Sequence, residues 1–235
     1  MTTATTATTT VTTSTPQTLR DILAAFQAQR ATTMDPAALA ENIRQRSVVT
    51  AAADKARFVQ AGQKLAPFSL QDVKGGVLQS DALLAEGPVL LIFFRFEGCP
   101  VCNIALPHYD RALTAALAAQ GIRLIAVSPQ QPDRLGAIAT RHDLQLTVAS
   151  DPDNRLARAL GITFSADETA QAIATAKGTP LPAITGASNW DLPMPAAILI
   201  DQNAVVAFAE VTPDWLDRSA AGDLLAAAHS LLTPA

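Results

Sequence analysis

From Thr18 to about Gln60 the apolar positions return at helical intervals. Leu19, Ile22, Leu23 and Phe26 stand at offsets 0, 3, 4 and 7 and form one stripe. Asp35-Pro36 supplies an N-cap and a first-turn proline, so two or three helices are expected here. Their apolar faces must be buried, and packing against the domain that follows is the expectation. After Gly62 the texture changes to short apolar runs between helical segments. Phe68–Leu70 and Val77–Gln79 read as short strands around a Lys74-Gly75-Gly76 turn, and Pro88–Phe94 as a central strand covered on both faces. The spacing then predicts a helix over Ile104–Gln120, a strand over Ile122–Val127, a helix over Asp133–His142, a strand over Leu146–Ala149 and a helix over Asp153–Leu160. Ala196–Ile200 and Ala204–Ala209 read as a hairpin, and a last helix is expected from Trp215 to Leu231.

The order of elements predicts an α/β domain over 61–235, layered, with a parallel centre and an antiparallel edge, preceded by a helical extension over 16–60. The segment 163–190 is expected to be an insertion, with a helix near Thr169–Ala176, that shapes the rim of a site. Residues 1–15 are a Thr/Ala-rich tail with too little apolar surface to offset the entropy of ordering, and they read as disordered.

Composition narrows the function classes. With 235 residues and 49% hydrophobic content the chain can bury a core in one domain. A net charge of −4 gives no basic field for nucleic acid or an anionic membrane. The tail lacks the charged and apolar regions of a secretory signal, and the longest apolar run, VLLIFF at 89–94, is strand length. A soluble, cytoplasmic protein is expected, in a reducing compartment where a close cysteine pair is more often catalytic or metal-binding than a staple.

The chemistry concentrates in RFEGCPVCN, which holds Cys99 and Cys102, the only two cysteines. They follow the central strand and open a helix, where free N–H groups and the helix dipole stabilise a thiolate. One sulfur can attack and the other can then close a disulfide. Stapling so short a loop gains little chain entropy. A zinc site needs two more ligands, and His108, His142 and His229 are scattered. His108 falls about 240° around the helix from Cys102 and reads as a surface residue, and Asp151 as a cap for the following helix. Arg95 and Glu97 can tune a thiol in opposite directions, although loop charges usually face water.

Several ordered blocks carry a resemblance: GQKLAPFSL, GPVLLIFFRFEGCPVCN, LIAVSPQ, Ser150-Asp151 with ALGI downstream, LPMPAAILID and VTPDWLDR. The chain resembles the peroxiredoxin-like branch of the alkyl hydroperoxide reductase/thiol-specific antioxidant family, from about Gly62 to Leu232. The resemblance implies a thioredoxin-like fold, a mixed sheet flanked by helices, and thiol redox activity without a bound cofactor or metal. It also implies a peroxide or disulfide substrate and a thioredoxin-like or small-thiol reductant; oligomeric state is not implied. In the typical peroxiredoxin pattern Cys102 aligns with the attacking cysteine, Cys99 replaces a Thr/Ser, Arg95 replaces a Pro, and the peroxide-binding Arg falls at Pro195. In the thioredoxin pattern Cys99 is the exposed attacking thiol and Cys102 the resolving one. Pro107 then matches the helix proline and Pro195 a cis-proline beside the disulfide, while Gly98 replaces a Trp and Phe93 a buried carboxylate. That pattern implies a substrate groove at Pro100, Met194 and Pro195. The two patterns disagree on the nucleophile. The missing pocket residues leave a second class open, a non-catalytic thioredoxin-fold module that binds proteins.

Overall fold

The computed structural model describes residues 17–233, so the expected disordered tail at 1–15 lies outside the described residues. Two helices come first, α1 (Leu19–Thr33) and α2 (Pro36–Ala52). Thr18 and Asp21 close a capping box on α1, and the Asp35 carboxylate accepts the Ala38 N–H at 2.9 Å to start α2. There follow β1 (Ser69–Asp72), β2 (Val77–Gln79), α3 (Ser80–Glu86), β3 (Val89–Phe93), α4 (Pro100–Ala118), β4 (Arg123–Ser128), α5 (Pro132–His142) and β5 (Thr147–Ser150). The chain continues with α6 (Arg155–Ala159), β6 (Thr163–Ser165), α7 (Glu168–Ala176), α8 (Leu181–Thr185), β7 (Asp191–Pro193), β8 (Ala196–Ile200), β9 (Val206–Val211) and α9 (Ala221–Leu232).

Seven strands form one mixed sheet in the order β2-β1-β5-β4-β3-β8-β9. β3, β4 and β5 run parallel, while β8 joins β3 and β1 joins β5 in antiparallel pairs, so both margins of the sheet are antiparallel. This is the thioredoxin-like mixed sheet flanked by helices, with the helical extension in front. β3 is buried along its whole length because each face meets a core, and its side chains alternate between them. Leu90, Ile92 and Phe94 pack with α4, α9, Trp215 and the extension; Val89, Leu91 and Phe93 pack with Leu70, Ile125, Leu156 and Ile162 on the other side.

Three differences from the sequence expectation have local causes. α3 was not expected: DALLAE is too short to display a full stripe, yet Leu83 and Leu84 are both buried. The last helix begins at Ala221 rather than Trp215, because the Asp214 carboxylate accepts the Leu216 N–H at 2.9 Å and turns the chain, which leaves Trp215 buried in a loop. The segment expected to be an insertion is framed by β6 and β7, which pair antiparallel as a small second sheet, with α7 and α8 between them. Its first helix is capped by Asp167, whose carboxylate accepts the Ala170 N–H at 2.9 Å.

Candidate active site

The site lies where β3 runs out. Beyond Phe93 the loop is fixed from below: the Ser128 hydroxyl donates to the Arg95 carbonyl at 2.8 Å, and the Gln130 side chain accepts the Glu97 N–H at 2.7 Å. The Asn103 amide, one turn into α4, donates to the carbonyls of Glu97 (2.6 Å) and Cys99 (2.9 Å). Arg141 in turn donates to Asn103 Oδ1 and pairs with the Glu97 carboxylate, each at 2.9 Å, so the Glu97 charge is turned to α5 and paired there.

α4 starts one residue after Cys99, which makes Cys99 its N-cap. Sulfur takes the place of the usual capping oxygen: Cys99 Sγ accepts the Cys102 N–H at 3.3 Å. Pro100 occupies the first helical position, where its missing N–H costs nothing. Both cysteines are free thiols, and both are buried, with Cys99 at 0% and Cys102 at 1% exposure. The exposed attacking thiol implied by the thioredoxin pattern is therefore corrected: the two sulfurs belong to a buried core cluster that also includes residues of α4, Trp215 and the extension residues Leu19, Leu23 and Val49.

Arg95 is half-buried and turns inward. Its Nη2 donates to Cys99 Sγ at 3.6 Å, and its guanidinium lies 4.7 Å from the ring centre of Trp215 and 5.5 Å from that of Phe96. Burial alone pushes the Cys99 thiol up. Against it, the Cys102 thiol, the Arg95 charge, the Cys102 N–H and the Arg218 charge hold it well below its ordinary value. Burial, the hydrogen bond to Cys99 and the Cys99 charge push Cys102 well above the ordinary value, so that thiol keeps its proton. The two sulfurs, three residues apart, thus differ: the Cys99 pKa is lowered and the Cys102 pKa raised.

The other candidates fall elsewhere. Pro100 is exposed, whereas Met194 and Pro195 are buried where β7 leads into β8, so the expected groove residues are divided between surface and core. The Pro195 carbonyl accepts from the Thr212 N–H at 2.8 Å, and the Met194–Pro195 bond is trans, as are all described peptide bonds; the expected cis-proline is corrected. Phe93 packs in the core on the opposite side of the sheet from the sulfurs. His108 is half-buried, edge-on to Tyr109 at 6.3 Å between ring centres, and burial lowers its pKa. Asp151 accepts the N–H groups of Leu156 and Ala157, both at 3.0 Å, as a buried cap of α6. Among the described residues no three His, Cys, Asp or Glu side chains gather in a metal-binding group.

Sequence reasoning missed Trp215, Arg218 and Asn103 altogether. For Asn103 its place four residues after Cys99 on α4 was a usable signal; Trp215 and Arg218 reach the site only through the fold. The Arg expected at the position of Pro195 is absent there, yet a guanidinium is present all the same, from Arg95 and against Cys99.

A family model described as the AhpC/TSA family matches residues 61–209. None of the curated proteins matches the chain. Among solved structures the chain is similar to the peroxidoxin BcpB of Mycobacterium tuberculosis, at 19% identity and a TM-score of 0.56, covering 74% of this chain and 98% of that one. Prx3 of Vibrio vulnificus, solved in its reduced form with hydrogen peroxide, gives 22% identity and a TM-score of 0.57 over 73% of this chain and 99% of that one. A putative protein disulfide isomerase of Bacteroides thetaiotaomicron gives 13% identity and 0.51 over 74% and 91%. At these identities the structural likeness carries the fold, and the match over 61–209 carries the family: the chain belongs to the AhpC/TSA family of peroxidase-type, thiol-dependent oxidoreductases.

Proposed function

We propose that this protein reduces peroxides through a dithiol/disulfide cycle in which Cys99 attacks and Cys102 resolves. The observation that carries the reading is the asymmetry of the pair: Cys99 Sγ accepts from the Cys102 N–H and from Arg95, while Cys102 is pushed toward its protonated form. The Cys99 thiolate attacks one peroxide oxygen, an S–O bond forms and the O–O bond breaks, and the leaving oxygen takes a proton to depart as water or an alcohol. Arg95 is the donor placed to stabilise charge on that oxygen. The resulting sulfenic acid is attacked by Cys102, which gives up its proton; the hydroxyl leaves as water and the disulfide closes. An external dithiol, thioredoxin-like or small, returns two electrons and two protons. No resident cofactor enters any step.

The same dithiol could exchange with a protein disulfide, but burial of both sulfurs favours the smaller substrate. The test is mass spectrometry of full-length wild type, Cys99→Ser and Cys102→Ser after one equivalent of peroxide. Wild type should form the internal disulfide, Cys102→Ser should gain one oxygen at Cys99, and Cys99→Ser should remain unmodified. Oxidation confined to Cys102 in Cys99→Ser, with Cys99 inert in Cys102→Ser, reverses the assignment. No oxidation of either thiol leaves the protein-binding alternative.

A further inference from the structure

Arg30 stands on α1 at the end of the stripe made by Leu19, Leu23 and Phe26, and its guanidinium lies 5.5 Å from the centre of the Phe26 ring. Leu19 and Leu23 belong to the core cluster that holds the two sulfurs, and Phe26 packs against it, so this face of α1 carries Arg30 to the dithiol. Burial first, then the charges of Arg46 and Arg95, lower the Arg30 pKa, while Cys99 opposes them: three guanidinium groups and the sulfur share one field. Arg46 on α2 is paired with the Asp214 carboxylate, and Arg95 lies on Cys99 Sγ. Arg30 Nε donates to Met34 Sδ at 3.0 Å and its Nη1 to Gln27 Oε1 at 2.9 Å. Its Nη2 has no partner among the described residues and, unlike Arg95 Nε, is not sealed from solvent. Arg218 acts on both sulfurs from the other side, with the Asp217 carboxylate beside it accepting the Arg218 N–H. In a chain of net charge −4 this is a local concentration of positive charge.

A Cys99 thiolate offsets the charge of Arg95. Closing the disulfide removes that negative charge, and because Asp214 is held by Arg46, Arg30 and Arg95 are then left without an anion among the described residues. The positive field is thus strongest when a reductant must arrive. We propose that this reductant is a small thiol bearing a carboxylate, drawn in by Arg30, Arg46 and Arg95, with its carboxylate on Arg30 Nη2. The inference rests on the Cys99–Cys102 disulfide of the reading above and names what reduces it. Burial of both sulfurs favours a small molecule over a docked protein. Arg30 and Arg46 lie outside residues 61–209, so this charge comes with the extension and not with the part of the chain that the family model matches. In the exchange a small thiolate bonds to the Cys102 sulfur, the S–S bond breaks, and Cys99, the thiol of lower pKa, leaves as a thiolate beside Arg95. A second small thiolate attacks the sulfur of the first, a small disulfide departs, and Cys102 takes a proton. Two electrons pass from the two small thiols to the protein.

The disulfide is closed in the full-length protein with diamide, so that no peroxide is involved. Its reduction is followed by mass spectrometry with 3-mercaptopropionate, 2-mercaptoethanol and cysteamine, which carry a carboxylate, no charge and an ammonium beside the thiol. Each rate is divided by the thiolate concentration and by the rate of the same thiol on 2-hydroxyethyl disulfide. The expected order is mercaptopropionate, mercaptoethanol, cysteamine, with the carboxylate thiol at least about fivefold ahead of the neutral one at low salt and its lead shrinking as ionic strength rises. Arg30→Gln should cut that lead by at least about threefold and Arg30→Lys should keep most of it. Arg20→Gln, which removes an exposed charge of α1, should leave it unchanged. Circular dichroism checks that each variant is folded. Equal normalised rates for the three thiols, a lead that ignores salt, or the same lead in a folded Arg30→Gln overturns the inference, and the first two need no variant. None of these outcomes touches the peroxide reading. A protein that shows the order but reduces no peroxide keeps this inference and loses the catalytic one, and a dithiol that diamide cannot close overturns both.

Discussion

Replacing Arg95 by methionine removes the guanidinium that lies 3.6 Å from Cys99 Sγ while leaving a side chain able to fill the space between Trp215 and Phe96. At that separation, and with an effective dielectric constant of about 20, the attraction between a thiolate and a guanidinium is roughly 4 kcal/mol. The backbone N–H of Cys102, a hydrogen bond to an ionised group, supplies about 1.5–3 kcal/mol. Burial opposes both, and the Cys102 thiol and Arg218 assist the thiolate. Removing the arginine thus takes away a contribution comparable to or larger than that of the N-cap geometry, and Cys99 should shift toward its thiol. The measurement is the pH dependence of iodoacetamide alkylation in a Cys102→Ser background, where Cys99 is the one remaining thiol. Arg95→Met should move the profile to higher pH and slow the reaction at pH 7 by at least about tenfold. Arg95→Lys, which keeps the charge but not the planar stack, should fall between the two. A profile unchanged in Arg95→Met, with the circular dichroism spectrum intact, would refute the assignment of the thiolate to this ion pair.

Three further expectations follow from the same geometry. The Cys99 thiolate adds stability that is present above the unfolded thiol pKa of about 8.5 and fades as pH falls through its lowered folded value, whereas the raised Cys102 pKa adds stability below about 8.5 that is lost as pH climbs further. The difference in thermal midpoint between reduced wild type and Cys99→Ser should therefore grow with pH toward 8.5, and a flat difference would contradict it. Trp215→Ala empties a site that is only 3% exposed and unstacks Arg95, so denaturant unfolding should show a loss of about 3–5 kcal/mol together with slower Cys99 alkylation. In the double variant Arg44→Ala/Arg46→Ala the ties between α2, Asp167 and Asp214 are cut, and a bulky thiol reagent should label Cys99 several-fold faster than in wild type; identical labelling rates would show that the extension does not govern access.

Local order was written plainly in the chain. The VLLIFF run, the capping residue Asp35 and the placement of Cys99-Pro100 at a strand-to-helix junction depend on interactions within a few positions, and such patterns are visible without the fold. So the sheet core and the position of the dithiol on it could be read from residues alone. Which sulfur is ionised could not. The two family patterns placed the nucleophile at different cysteines, and what lowers the Cys99 pKa is the Cys102 thiol together with Arg95, a loop cation that by default belongs in water because desolvation costs several kcal/mol. Its inward turn is compensated by Trp215, carried in from the far end of the chain, and by the thiolate itself. The same holds for burial of the pair: the first helix announced an apolar face, but only three-dimensional packing brought Leu19, Leu23 and Val49 into the core cluster that holds the cysteines. Sequence determined the elements and the reactive groups, because those rest on short-range periodicity and capping; tertiary structure decided charge state, access and the gathering of arginines, because those are set by groups that meet only in space.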